Sequence, residues 1–307
     1  MEVVFLGTPL FAVATLEAIA AAGHRIVAVY TQPDRPKGRG QQTAFSPVKE
    51  SALRLGLTVN QPERVRRPEV VEELRAMNAD VMVVVGYGQI IPQSIIDLPR
   101  YGIFNVHASL LPKYRGAAPI QWAIANGEER TGVTIMQIDA GLDTGPTVSV
   151  AETEIGKDET APELSERLAA MGAKLMVESL AKLPAVVHSQ DHASATLAPI
   201  LSKEDGRIDW RRTAQMIACR LRGFTPWPGA FTTLRGEPMK VIRALAVDER
   251  TGATPGSLIL RKRQLFAACG EGTMLELLEI QMEGRKKITA EAFINGFRPL
   301  DNESLGG

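Results

Sequence analysis

The chain has 307 residues, 45% of them hydrophobic and 23% charged, with 35 basic against 35 acidic side chains. That balance excludes a disordered or low-complexity chain, the length allows about two domains, and no apolar run approaches the roughly 18 residues of a membrane span. The opening MEVVFLGTP has no basic stretch ahead of an apolar core, so a cytoplasmic protein is expected, and the distant Cys219 and Cys269 fit core thiols better than a disulfide or a zinc site.

In chain order, EVVFLG, RIVAVYT, LTVNQ, DVMVVVG, YGIFNVHA and GVTIMQID read as strands. Amphipathic runs such as PLFAVATLEAIAAAG and PEVVEELRAMN lie between several of them. The alternation predicts an α/β fold with a Rossmann-like, mostly parallel, doubly wound sheet. AAPIQWAIANG predicts a helix with Pro119 in its first turn and Gly127 past its end. A strand in PTVSVAETEI and a helix in ELSERLAAMGAKLMVESLAKL close this first domain, taken as residues 1–189.

HSQDHASATLAPILSKEDGRIDW turns polar and irregular, and residues 190–205 are read as a linker. The remainder, residues 206–307, begins with a helical run, TAQMIACRLRG. Apolar runs divided by Gly or Pro follow, predicting a small β-barrel with a helix in front. Residues 203–307 carry 17 Lys and Arg against 13 Asp and Glu, net basic by four, as a polyanion-binding domain would. Their LRKRQ and EGRKKI runs suit either phosphate contacts or a solvated face, and Trp210 and Trp227 are expected to pack at the domain junction.

VVFLGTPLFA opens like a dinucleotide fold but holds only Gly7 of the GxGxxG pattern, and neither GxxxxGK[ST] nor GxSxG occurs. This counts against an NTPase or a serine hydrolase. FNVHASLLPKYRG is more informative. Asn105 and His107, two apart on a strand, share one face at its carboxyl end, where open α/β sheets bind ligands. Two readings stand: a ligand-facing pair, or a buried amide and imidazole that satisfy each other. In MQIDAGLDTGP, Asp143 lies between Gly141 and Gly145 at another strand end, within reach of His107, or else caps a turn. Asp139 competes with it, and the glycine setting favours Asp143.

Asn, His and Asp on converging loops suit attack of an amine on a formamide. The amide and imidazolium can donate to the formyl oxygen as it gains negative charge, and the carboxylate can orient the ring and help remove the amine proton. DRPKGRGQQTAFSPVK is a separate feature, a long loop with Arg35, Lys37, Arg39 and Lys49 against one acid, Asp34. It reads as a phosphate-seeking loop or a solvated one.

FNVHASLLPKYRGAAPIQWAI together with GLDTG resembles the core of the 10-formyltetrahydrofolate-dependent formyltransferases. FLGTP, TQPDRPKGRG, SPVK, GYGQIIP and RGFTPWPGA are most similar to the members that act on initiator methionyl-tRNA. The resemblance implies catalysis by Asn105, His107 and Asp143. It implies folate binding by Ser109, Leu110, Leu111 and Pro112, and a pterin wall made of Gly86, Tyr87, Gly88, Gln89, Ile90 and Ile91. It also implies tRNA binding by Arg35, Lys37, Arg39 and Lys49, a carboxyl-terminal barrel of OB type, 10-formyltetrahydrofolate as formyl donor, no metal, no membrane and a monomer. Two other classes remain open: a folate-dependent formyltransferase for a sugar-nucleotide or glycinamide amine, and a noncatalytic RNA-binding protein.

Overall fold

Alternating apolar strands and amphipathic helices build an α/β sheet in the computed structural model, which describes residues 1–37 and 42–306. In chain order its elements begin with β1 (Glu2–Gly7), α1 (Leu10–Ala21), β2 (Arg25–Tyr30), β3 (Arg35–Lys37), β4 (Gln42–Ala44), α2 (Pro47–Arg54), β5 (Val59–Asn60) and α3 (Pro68–Ala76). There follow β6 (Val81–Val85), α4 (Gln93–Ile96), β7 (Ile103–His107), β8 (Arg115–Gly116), α5 (Pro119–Ala125), β9 (Arg130–Gln137), β10 (Thr147–Glu154), α6 (Ala161–Leu180) and β11 (Leu197–Ala198). The rest are α7 (Ala214–Gly223), β12 (Ala230–Leu234), β13 (Glu237–Arg250), β14 (Leu258–Arg261), β15 (Gln264–Ala268), β16 (Thr273–Met282), β17 (Ile288–Thr289) and α8 (Ala290–Phe297).

The chain divides into two units. The first comprises Met1–Pro119, Arg130–Glu154 and Ser165–Pro199; the second comprises Ile120–Glu129, Ile155–Leu164 and Ile200–Gly307. The second unit thus takes in two segments that lie within the sequence limits of the first domain.

The first unit's seven-stranded sheet runs β10-β9-β7-β6-β1-β2-β5. It is parallel from β7 through β5, while β9 is antiparallel to both β7 and β10. Burial explains this order. All five residues of β6, VMVVV, are buried, as in a parallel strand covered on both faces, whereas β10 alternates toward solvent as an edge strand does. Helix α1 buries Ala12, Thr15, Leu16 and Ile19, one face at helical spacing. Because β1, β6 and β7 run parallel, their carboxyl ends share one edge of the sheet, and the paired Val84 and Asn105 bring the segments after β6 and along β7 side by side.

In the second unit an antiparallel sheet runs β12-β13-β16-β15-β14, with β17 added to β16. The register shifts along β13, which coils such a sheet. Its core includes Leu221 and Ile217 of α7, Leu258, Leu275, Leu277 and Phe293. Trp210 belongs to that core and donates its indole N–H to Thr232 Oγ1 at 3.1 Å, in place of the junction position expected of it; Trp227 is 56% exposed. The cations of LRKRQ and EGRKKI lie at strand ends and turns, where Arg261 pairs with Glu249, Arg263 with Glu291 and Lys287 with Glu279.

Two stretches expected to be irregular have structure. Within residues 34–49, β3 and β4 form a hairpin and α2 starts at Pro47, because Ser46 accepts the Lys49 N–H as an N-cap and proline suits the first helical position. Within residues 190–205, Leu197 and Ala198 pair in parallel with Arg115 and Gly116, so this part of the proposed linker is built into the first unit.

Candidate active site

Strand alternation puts Asn105 and His107 on one face of β7, and the structure brings the loop after β9 to the same place. Asn105 Nδ2 lies 3.4 Å from Asp143 Oδ1, and His107 Nδ1 lies 3.6 Å from Asp143 Oδ2. His107 is only 5% exposed and Asp143 is partly so. The other imidazole nitrogen, Nε2, is 2.9 Å from the Tyr114 carbonyl oxygen. A carbonyl only accepts, so the ring proton is assigned to Nε2. Nδ1 therefore carries a proton in the imidazolium form.

Asp143 sits at φ +50°, in the left-handed region that Asp tolerates better than most residues. Its carboxylate also accepts the Gly116 N–H at 2.8 Å. Two glycines permit this arrangement. A Cβ on Gly145 would stand 1.9 Å from the Gln137 carbonyl oxygen; one on Gly116, at φ +120°, would stand 2.7 Å from that of Ala198. Asp139, the competing carboxylate, instead closes its own loop by accepting from the Gly141 N–H at 3.0 Å and the Thr144 hydroxyl at 2.7 Å.

Ser109–Pro112 follow β7 directly. Ser109 is fully buried and donates to the Lys113 carbonyl at 2.6 Å, while its own carbonyl accepts from Thr134 Oγ1 at 2.7 Å. The Leu111 N–H donates to the same Thr134 hydroxyl at 3.2 Å, which holds the loop to β9. Leu110, Leu111 and Pro112 are half-buried.

The turn after β6 divides its side chains between core and edge. Tyr87 is buried, Gln89 accepts from the Val65 N–H at 2.7 Å, and Ile91 is buried. Burial pushes the Tyr87 phenol up from its ordinary range. Ile90 is 90% exposed and its neighbours Gly86 and Gly88 have no side chain, so this turn offers one aliphatic group and bare backbone beside β7.

The basic segment is dispersed. Arg35 is exposed on β3, Lys37 ends that strand, and Arg39 lies outside the described residues. Lys49 is not presented outward: its ammonium binds Asp34, donates to Gln61 Oε1 at 2.7 Å, and has a side chain 14% exposed. Hydrogen bonds from Lys49 and then Gln61 hold the Asp34 carboxyl below its ordinary range. Sequence spacing overlooked Tyr114, Gly116 and Gln190, whose Nε2 donates to the Asp143 and Gly145 carbonyls at 2.9 and 2.7 Å. Two of these three act through backbone atoms, which carry no sequence signal. Among the described residues, no group of three or more His, Cys, Asp or Glu is placed to hold a metal, and no helix is long and apolar enough to cross a membrane.

Residues 1–180 match the family described as formyl transferase, and residues 200–298 match its C-terminal domain. The methionyl-tRNA formyltransferase of Solibacter usitatus is 60% identical over 100% of this chain and 99% of its own, and that of Koribacter versatilis is 56% identical over the same shares. Among solved structures, a sugar 3N-formyltransferase determined in the presence of dTDP and 5-N-formyl-THF superimposes with a TM-score of 0.68. It is 18% identical over 93% of this chain and 99% of its own, a likeness of fold.

Proposed function

The chain belongs to the formyl transferase family, and we infer that it moves the formyl group of 10-formyltetrahydrofolate to the free α-amino group of initiator methionyl-tRNA, the step that prepares this tRNA for translation initiation. It is an enzyme, a one-carbon group transferase, and the folate is its co-substrate. The observation that carries this reading is the meeting of Asn105, His107 and Asp143 at one strand edge, in a chain whose likeness to methionyl-tRNA formyltransferases runs from end to end.

The proposed roles follow from which donors are already engaged. Asn105 turns one amide N–H toward Asp143 and has a second for the formyl oxygen, where negative charge grows as the amine adds. His107 spends Nε2–H on Tyr114, so its donor to that oxygen is Nδ1–H of the imidazolium. The 3.6 Å to Asp143 is longer than a hydrogen bond, so Asp143 balances the ring's charge without consuming this N–H. Asp143 then receives the amine proton, directly or through a water; as the oxyanion collapses the formyl C–N10 bond breaks, and that proton passes on to N10 of the departing tetrahydrofolate.

Exposed Ile90, the backbone at Gly86 and Gly88, and the half-buried residues 110–112, held from beneath by buried Ser109, offer an apolar and peptide surface that suits a flat pterin, with the polar trio alongside. Arg35, Lys37 and Arg39 are proposed to meet the tRNA. Lys49 is proposed to brace the start of β3 through Asp34 and Gln61. Since one chain supplies the whole trio, the enzyme is proposed to work as a monomer, in the cytoplasm where its tRNA is found.

The test is to offer the protein 10-formyltetrahydrofolate with methionyl initiator tRNA, the same tRNA uncharged, an amino-sugar nucleotide, or glycinamide ribonucleotide. Formylation of the charged tRNA alone is expected. Preference for either small amine would overturn the reading, and tRNA binding without formylation would leave a noncatalytic RNA-binding protein.

A further inference from the structure

We propose that Gln190, oriented by Arg115, is a positioning residue for formyl transfer: its side-chain amide fixes the main chain on which Asp143 is carried. This rests on the role given to Asp143 above. Gln190 is 8% exposed and spans two carbonyls of that loop, donating from Nε2 to Asp143 O at 2.9 Å and to Gly145 O at 2.7 Å. Its Oε1 accepts from Arg115 Nε at 3.2 Å and Nη2 at 2.7 Å. A guanidinium has donors only, so it must face the amide oxygen and thereby aims both amide N–H groups at the loop.

Arg115 is itself 6% exposed and is placed by backbone pairing, its N–H donating to Thr196 O at 2.9 Å, with Leu197 as its strand partner. Its Nη2 also reaches His192 Nδ1 at 3.1 Å, so the buried guanidinium meets both Gln190 and His192. Such an arrangement is a poor stabilising device, since desolvating a cation is costly. Its geometry is better suited to holding a loop. Residues 115 and 116 grip Asp143 at two points, the carboxylate through the Gly116 N–H at 2.8 Å and the main chain through Arg115 and Gln190. Asp143 keeps its left-handed backbone, φ +50°, only if its surroundings impose it.

The experiment compares Gln190→Met and Gln190→Glu in the wild-type and Asp143→Asn backgrounds, measuring turnover, KM for both substrates and melting temperature. Met preserves length without hydrogen bonds. Glu keeps an acceptor for Arg115 but loses the donors to the loop, and it carries the test if the Met variant does not fold. Each should lower kcat by about 10-fold or more with both KM values within about 3-fold, and by less than about 2-fold once Asp143 is already Asn, because the effect passes through that residue. Wild-type turnover in Gln190→Glu, or an equal fold loss in both backgrounds, would overturn the proposal. If Asp143→Asn is slow while Gln190→Met is not, positioning fails and the reading of Asp143 stands; if Asp143→Asn turns over normally, that reading fails and the proposal with it.

Discussion

His107 Nε2 donates to the carbonyl oxygen of Tyr114, 2.9 Å away, and Tyr114 holds that carbonyl in place from a left-handed backbone conformation at φ +61°. The contact leaves Nδ1 as the ring nitrogen that meets Asp143, 3.6 Å away. If Nδ1–H is the donor, the imidazolium is the active form, because the neutral ring lacks that N–H. Asp143→Asn keeps the shape and loses the charge, so its rate should drop and its pH profile should shift. A pH–rate profile of kcat for both proteins checks this; an unchanged profile in the variant would leave Asp143 as a turn residue.

Arg35 is exposed, whereas the Lys49 side chain is 14% exposed. Arg35→Ala and Arg39→Ala should each flatten the dependence of log tRNA affinity on log salt by about 0.7–0.9, the contribution of one phosphate contact. Lys49→Ala should leave the slope unchanged and lower the melting temperature, since its ammonium is held between Asp34 and Gln61. Salt titration of tRNA binding distinguishes them, and a loss of slope in the Lys49 variant would return that residue to the RNA surface.

Much of this site is legible in the sequence because strands alternate. Two-residue spacing puts Asn105 and His107 on one face, and the Gly-Leu-Asp-Thr-Gly setting singles out Asp143 over Asp139, which the structure uses to close a turn. What escapes has a physical reason. Gln190 reaches Asp143 across 47 positions from a stretch without periodicity, and the two-residue pairing of β8 with β11 that fixes its neighbour is too short to read. Trp210 reads as a junction residue, yet its indole N–H finds Thr232 inside the second unit's core. Lys49 reads as part of a basic loop, while in the structure it lies in the first turn of α2, capped by Ser46, with its ammonium toward Asp34 and Gln61.

Gly145→Ala should be among the most damaging small changes. The added Cβ would need to displace the Gln137 carbonyl, 1.9 Å away, and the loop carrying Asp143 would move with it. We expect a stability loss of about 1–3 kcal/mol, in the range of backbone strain, and a fall in kcat larger than that loss explains. Denaturant unfolding and steady-state kinetics on one preparation check both.

Two buried acids, Cys269 and Tyr30, link the stability of the fold to alkaline pH. Burial pushes the Cys269 thiol up from 9.0 to about 12, against a smaller opposing hydrogen bond. Burial, then the charge of Glu73, pushes the Tyr30 phenol from 10.0 to about 12. For an acid whose value is raised on folding, the stabilisation is complete below the unfolded value and is lost as pH rises through the folded one. Unfolding free energy should therefore hold steady up to about pH 9 with respect to these groups and decline toward 12, and Cys269→Ala should shallow the decline. Urea unfolding across that range measures the slope.

The proposed catalysis is stabilisation of the transferring formyl oxygen by a preorganised Asn105 and His107. Its most direct measurement is single-turnover formylation of methionyl initiator tRNA by the wild type, Asn105→Ala and His107→Ala, with 10-formyltetrahydrofolate binding measured on the same proteins. Each variant is expected to react slower by about 10² or more, with folate affinity within several-fold of wild type. A His107→Ala enzyme that formylates at the wild-type rate, or one whose whole defect is lost folate binding, would contradict it.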